Sequence, residues 1–182
     1  MSDKRFSWYA TGLHVALVAL CLLTVILARE NRSLKDRLYR VSVLAAGGPE
    51  VHDILPTVPV TDLDGLDSEL AYDDSSRDSV VLVFTTTCPA CQKNLERWRD
   101  LHQRFGDRYR FVAVGLDSPE ATRSWVEENS VPFQVVLPAD RTSFRREYGI
   151  SSVPHTLVVS TDGRIKLTQP GLLPQEFLDR LG

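Results

Sequence analysis

Residues 80–91 read Val-Val-Leu-Val-Phe-Thr-Thr-Thr-Cys-Pro-Ala-Cys, and the rest of the chain is organised around them. An apolar, largely β-branched run stops at three threonines, and two cysteines follow with two residues between them. Residues 92–105 then place Leu95, Trp98, Leu101, His102 and Phe105 on one face of a helix. Strand, Cys-x-x-Cys, helix is the order in which a dithiol redox site is built. A helix that starts at Cys88 aims free backbone N–H groups and the positive dipole end at its sulfur. That environment favours the thiolate, which is the reacting species. Cys91, three residues on, is within reach to close a small disulfide ring. The same pair also suits half of a zinc site or two inert core thiols. Zinc takes about four ligands, however, and Cys21, the third cysteine, lies in an apolar segment. The context favours a redox pair and no metal.

Moving outward, 182 residues suit one ordinary domain plus an appendage. At 43% hydrophobic residues the chain can bury a core but not cross a membrane many times. The net charge of −3 is unevenly spread: residues 1–47 carry seven Lys/Arg against three Asp/Glu, and the remainder fourteen against twenty-one. An acidic domain without a basic stripe argues against nucleic acid as a partner. No repeat or low-complexity tract is visible.

Residues 8–28 are apolar, His14 being the one side chain there that readily carries charge. The stretch matches the about 20 residues that a hydrocarbon core requires, and Trp8 and Tyr9 stand where interfacial aromatics are expected. A cleaved signal peptide has a shorter apolar region, about 7–15 residues, and Ile26-Leu27-Ala28 is a poor cleavage site. The expectation is an uncleaved anchor, with Cys21 facing lipid or a neighbouring helix. Lys4 and Arg5 precede it, whereas Arg29, Arg32, Lys35, Arg37 and Arg40 follow. That balance alone would place the following domain in the cytoplasm. A tethered dithiol domain makes more sense where disulfides persist, so the expectation is the outer, periplasmic face of a bacterial inner membrane. Leu27, Asn31, Leu34, Leu38, Val41 and Ala45 form a heptad seam, either a dimerising stalk or a plain amphipathic helix. The expected organisation is a tail at 1–7, an anchor at 8–28, a juxtamembrane helix and linker at 29–48, and a folded domain at 49–182.

Within that domain, residues 51–63 with Pro56 and Pro59 read as short edge strands, with a hairpin-type turn at Asp62-Leu63-Asp64-Gly65. A second buried strand is expected over 109–116. A helix follows from Ser118-Pro119-Glu120, where a capping hydroxyl precedes a proline in the first turn. A third strand over 133–137, a short helix over 142–148, a hairpin at Asp162-Gly163 and a closing helix over 174–181 complete it. Strands alternating with helices, then a hairpin and a helix, indicate an α/β domain with a mixed sheet.

The region 49–182 resembles the thioredoxin superfamily, in particular membrane-anchored proteins of the TlpA/ResA type, and is similar to MauD-like proteins in its Thr-Cys-Pro-x-Cys. The likeness is carried by Val-Phe-x-x-x-Cys-Pro-Ala-Cys at 83–91, Tyr-Gly-Ile-x-x-Val-Pro at 148–154 and Asp162-Gly163-Arg164-Ile165. It implies a thioredoxin-like fold, a central mixed sheet flanked by helices, with a redox-active Cys88–Cys91 disulfide and no cofactor. It also implies that Pro154 follows a cis peptide bond and faces the cysteines, with the Val153 backbone offering substrate a strand-like edge. Three positions depart from the family. Thr87 replaces a tryptophan, Asn94 replaces a glutamate three residues after the second cysteine, and the strand at 80–84 lacks thioredoxin's aspartate. The proton acceptor for Cys91 is then a water or a carboxylate from elsewhere. Thr87, Pro89 and His155 are candidate modulators. A protonated His155 pointing at the sulfurs would stabilise the Cys88 thiolate and make the disulfide a stronger oxidant; the alternative is a half-exposed ring bonded to backbone. His52 and His102 read as loop and helix-face residues.

These features point to a membrane-tethered thiol-disulfide oxidoreductase acting on protein dithiols and disulfides, with a membrane or periplasmic redox partner. Cys-Pro-Ala-Cys and His155 lean towards oxidation, the TlpA/ResA likeness towards reduction, as in cytochrome c maturation. Three alternatives stand beside it. One is a copper(I) module using Cys88, Cys91 and His155, although thioredoxin-like copper chaperones use Cys-x-x-x-Cys. Another is a thiol peroxidase, since Thr85-x-x-Cys88 echoes a peroxiredoxin site, although the proline expected seven residues before the cysteine is Val81. The last is an assembly factor that uses the domain only for binding.

Overall fold

The computed structural model describes residues 17, 20–27, 29–31, 48–73 and 76–181. The chain divides into two compact units, Met1–Ser42 and Val43–Gly182. In the first, the described residues are helical and their side chains exposed, among them Leu20, Leu22, Leu23, Val25, Ile26 and Leu27. Among the described residues no helix is long and apolar enough to cross a membrane. Most of the expected 8–28 anchor, including Trp8 and Tyr9, lies outside the described residues, as do the seam positions Leu34, Leu38, Val41 and Ala45.

The second unit runs β1 (Val58–Asp62), β2 (Asp67–Leu70), β3 (Ser79–Phe84), α1 (Pro89–Phe105), β4 (Arg110–Gly115), α2 (Pro119–Glu128), β5 (Gln134–Pro138), α3 (Arg141–Glu147), β6 (His155–Val159), β7 (Ile165–Pro170) and α4 (Gln175–Asp179). Its seven strands form one sheet in the order β2-β1-β5-β4-β3-β6-β7. β3, β4 and β5 are parallel neighbours, whereas β2, β1, β6 and β7 pair antiparallel. This is the thioredoxin-like α/β fold, a mixed sheet flanked by helices.

From Val80 to Phe84, β3 is an unbroken apolar run because both of its faces are covered and β4 and β6 take its two edges. Val80, Leu82 and Phe84 look towards one core, with Leu95, Trp98 and Leu101 of α1, Trp125 of α2 and Phe177 of α4. Val81 and Val83 look towards the other, with Val112, Phe144, Tyr148, Leu157 and Val159. Alternate residues of one strand therefore serve two different layers. On α1, Leu95, Trp98 and Leu101 are buried as the sequence spacing predicts. The helix begins at Pro89, earlier than that spacing, because a proline in the first turn gives up no hydrogen bond. Ser118 caps α2 through its Oγ, which accepts from the Ala121 N–H at 3.3 Å, with Pro119 in the first turn as expected.

Two expectations are corrected. β1 is not an edge strand but lies between β2 and β5, and the edge belongs to β2. Pro59 is accommodated because it falls just beyond the β1–β5 ladder, which starts at Val60↔Pro138. α4 is shorter than residues 174–181, spanning Gln175–Asp179. At the end of α3, Gly149 has φ +62°, and a Cβ there would meet the Pro49 nitrogen at 3.0 Å. Only glycine fits that left-handed position.

Candidate active site

β3 ends against Trp125, whose ring lies 4.6 Å from that of Phe84, centroid to centroid. Beyond it the loop of Thr85, Thr86 and Thr87 leads to Cys88, which caps α1. The Cys91 N–H points at the Cys88 sulfur at 3.3 Å, while the Cys91 and Gln92 N–H groups also approach the Cys88 carbonyl at 3.0 and 3.2 Å. Negative charge developing on Cys88 therefore meets a hydrogen-bond donor and the positive end of a helix of 17 residues. Both cysteines are free thiols. Cys88 is half-buried, whereas Cys91 is fully enclosed. Burial pushes the Cys91 thiol well above its ordinary range, and its hydrogen bond with Cys88 and the negative charge of Asp117 push the same way. One thiol is accessible for attack, and the other keeps its proton until a base or a pH change removes it.

The wall facing Cys88 comes from the start of β6. The Val153–Pro154 peptide is cis, as the resemblance implies. The Cys88 thiol lies 3.7 Å from the Val153 carbonyl oxygen. The structure thus brings Cys88, Cys91, Val153 and Pro154 together. Thr87 and Pro89 are exposed on either side of Cys88. The lower border is the loop after β7, where the Gly171 N–H donates to the Pro154 carbonyl at 2.7 Å. Asn94, at the position where relatives carry glutamate, is fully buried and clamps this loop. Its Nδ2 donates to the Gly171 carbonyl at 3.0 Å, and its Oδ1 accepts from the Leu173 N–H at 2.9 Å. With both ends of its amide engaged, Asn94 positions the loop and cannot serve as a base.

His155 is corrected. It pairs with Val83 in the sheet and shares that face, whereas Cys91 belongs to the core on the other face. The ring is 1% exposed, not half-exposed, and its Nε2 is hydrogen-bonded to Thr168 Oγ1 at 2.9 Å. Burial lowers its pKa from 6.5 to about 4, with a small opposing effect from the Ser152 backbone. It is therefore neutral at pH 7 and supplies no charge to Cys88. The copper trio fails because His155 lies on the face opposite Cys91 with its Nε2 engaged by Thr168, and among the described residues no group of three or more potential ligands is assembled.

The buried ring predicts acid sensitivity of the fold. Unfolded, His155 takes a proton near pH 6.5, and folded only near pH 4. Between those values the unfolded chain binds more protons, so stability is full above about pH 6.5 and falls as the pH drops towards 4. The whole effect is up to roughly 3 kcal/mol. Denaturant midpoints at pH 7 and pH 4.5 should show this loss in the parent and much less of it in His155→Leu; equal losses would contradict it.

Asp117 was not singled out by sequence reasoning. It is the first residue past Leu116 at the carboxyl end of a buried parallel strand, where open α/β sheets place their functional groups, and that position was the available signal. Its Oδ2 accepts from the Thr86 N–H at 2.5 Å, tying it to the loop before Cys88.

The model of the AhpC/TSA family matches residues 51–168. No curated protein matches the chain significantly. Among solved structures, the chain is similar to the thioredoxin domain of a thiol-disulfide oxidoreductase from Bacteroides vulgatus, with 20% identity and a TM-score of 0.65 over 72% of this chain and 95% of that one. StoA from Bacillus subtilis is similar at 20% identity and a TM-score of 0.58, over 70% of this chain and 97% of that one. A peroxiredoxin-like protein from Aquifex aeolicus is similar at 15% identity and a TM-score of 0.60, over 74% and 88% respectively. At such identities the likeness is one of fold.

Proposed function

Since the chain belongs to the AhpC/TSA family, we propose that it is a thiol-disulfide oxidoreductase exchanging disulfides with protein partners through Cys88 and Cys91. One observation carries this: an accessible thiol at a helix N-terminus stands three residues before a fully enclosed thiol in the first turn of the same helix. Cys88 attacks a partner disulfide and forms a mixed disulfide, and Cys91 then displaces the partner thiol. An extended partner segment would dock beside Val153, whose carbonyl lies at the Cys88 sulfur. The solved relatives that are thiol-disulfide oxidoreductases support this chemistry. The likeness to a peroxiredoxin-like protein makes hydroperoxide the competing oxidant to test against.

The finer reading is a membrane-anchored protein of the TlpA/ResA type, close to MauD-like proteins. It is held by residues 8–28 with its domain on the periplasmic face, and the seam from Leu27 to Ala45 pairs two copies. The apolar length of residues 8–28 supports the anchor. A neutral His155 on the far face removes one of the two features that leaned towards oxidation, so we favour the reducing direction, as in cytochrome c maturation. Trapping with Cys91→Ser tests the exchange reaction: a partner should remain covalently bound at Cys88, and the trapped species identifies the substrate.

A further inference from the structure

Given disulfide exchange at Cys88, we propose that Asp117 is the proton acceptor for Cys91 when it resolves the mixed disulfide. Parallel pairing of β3 with β4 continues past the strand ends, with the Leu116 N–H donating to the Phe84 carbonyl at 3.1 Å. The next residue, Asp117, is thereby laid beside the loop that precedes Cys88. Its carboxylate accepts from the Thr86 N–H at 2.5 Å, and the adjoining Thr85 carbonyl accepts from the Cys88 N–H at 3.4 Å, with the Cys91 N–H in turn pointing at the Cys88 sulfur. Consecutive residues of one loop thus tie the carboxylate to the start of the helix that carries the dithiol. The charged groups that act on Cys91 are Cys88 and Asp117, and after burial they reinforce its retention of the proton. The other candidate positions are closed. Residues 80–84 are wholly apolar, and both ends of the Asn94 amide are engaged by the Gly171–Leu173 loop. Cys91 has no exposed surface through which bulk water could reach it.

The step balances within the mixed disulfide. The Cys91 S–H gives its proton to the Asp117 carboxylate, and the resulting thiolate attacks the Cys88 sulfur. The Cys88–Cys91 bond forms as the bond from Cys88 to the partner sulfur breaks. The partner leaves as a thiolate with the electron pair of the broken S–S bond, which completes the two-electron reduction of its disulfide over the two exchanges, and takes up a proton from Asp117 or solvent. No further oxidant or reductant enters.

The test uses full-length protein carrying Cys21→Ser, reduced and mixed rapidly with excess dithionitrobenzoate. Attack by Cys88 releases one thionitrobenzoate in a concentration-dependent phase, and resolution by Cys91 releases a second in a concentration-independent phase. Asp117→Asn keeps an oxygen for the Thr86 N–H but cannot take the proton. It should slow the second phase by roughly 100-fold at pH 7 without slowing the first, with Asp117→Glu recovering part of the rate. An unchanged or faster second phase overturns the proposal, and faster is what loss of a nearby negative charge alone would give. If Asp117→Asn does not fold, the parent profile decides. A second phase rising clearly less than tenfold per pH unit between pH 6 and 8 supports the carboxylate, and a full tenfold climb, tracking thiolate alone, overturns it. A parent that shows no first phase from Cys88 refutes disulfide exchange itself, which is a distinguishable result.

Discussion

Cys88→Ser is expected to lower disulfide-exchange turnover by roughly three orders of magnitude or more, as loss of a covalent nucleophile does. The physical reason lies in the atom alone. A serine hydroxyl stays protonated near neutral pH, whereas a cysteine at a helix N-terminus can react as thiolate. The surrounding structure should tolerate the change, because serine is a preferred cap and its oxygen can accept the Cys91 N–H that now points at sulfur. Reduction of insulin disulfides by the full-length protein, run beside a denaturant melt, separates chemistry from folding. Lost turnover with an unchanged melt is the expected pair, and turnover above a tenth of the parent would contradict the assignment.

The largest expected loss of stability is at Trp98. Its side chain is 1% exposed and packs on α1 beside Leu95 and Leu101 against Val80, Leu82 and Val158. Its Nε1 donates to Thr156 Oγ1 at 3.0 Å across to β6. Trp98→Ala leaves a large void, costing about 3–5 kcal/mol, and strands a buried hydroxyl, adding about 1 kcal/mol. Against a typical total of roughly 5–15 kcal/mol, that approaches unfolding. Trp98→Phe fills most of the space and should lose only about 1–2 kcal/mol, chiefly the hydrogen bond. Guanidinium midpoints for the two variants should differ in that order; a Trp98→Ala loss below about 1 kcal/mol would contradict the packing argument.

What was legible in the sequence is what depends on neighbours along the chain. The run before Cys88, the spacing of Leu95, Trp98 and Leu101, the Ser118-Pro119 start and the Asp162-Gly163 turn are local signals, and each element formed where they point. The hairpin-type turn at residues 62–65 points to a strand after it, but the extent of β2 is not legible because Asp67, Ser68 and Glu69 are exposed and only Leu70 is buried, so the strand exists through its ladder to β1 and not through an apolar pattern. His155 was misplaced because its face is set by pairing with Val83, far away in sequence. Asp117 was passed over for the same reason: parallel pairing carries it to the 85–87 loop, and no spacing rule relates it to Cys91. The two cysteines were readable as chemistry, while their electrostatic surroundings are long-range products of the sheet.

Disulfide exchange at Cys88 is tested most directly by mixing full-length Cys91→Ser with a disulfide-bonded protein and mapping the product under non-reducing conditions. A stable mixed disulfide through Cys88 is predicted, released by added dithiol, and forming faster than hydroperoxide oxidises the same thiol. Absence of an adduct while Cys88 remains open to alkylation, or preferential oxidation of Cys88 by hydroperoxide, would contradict it.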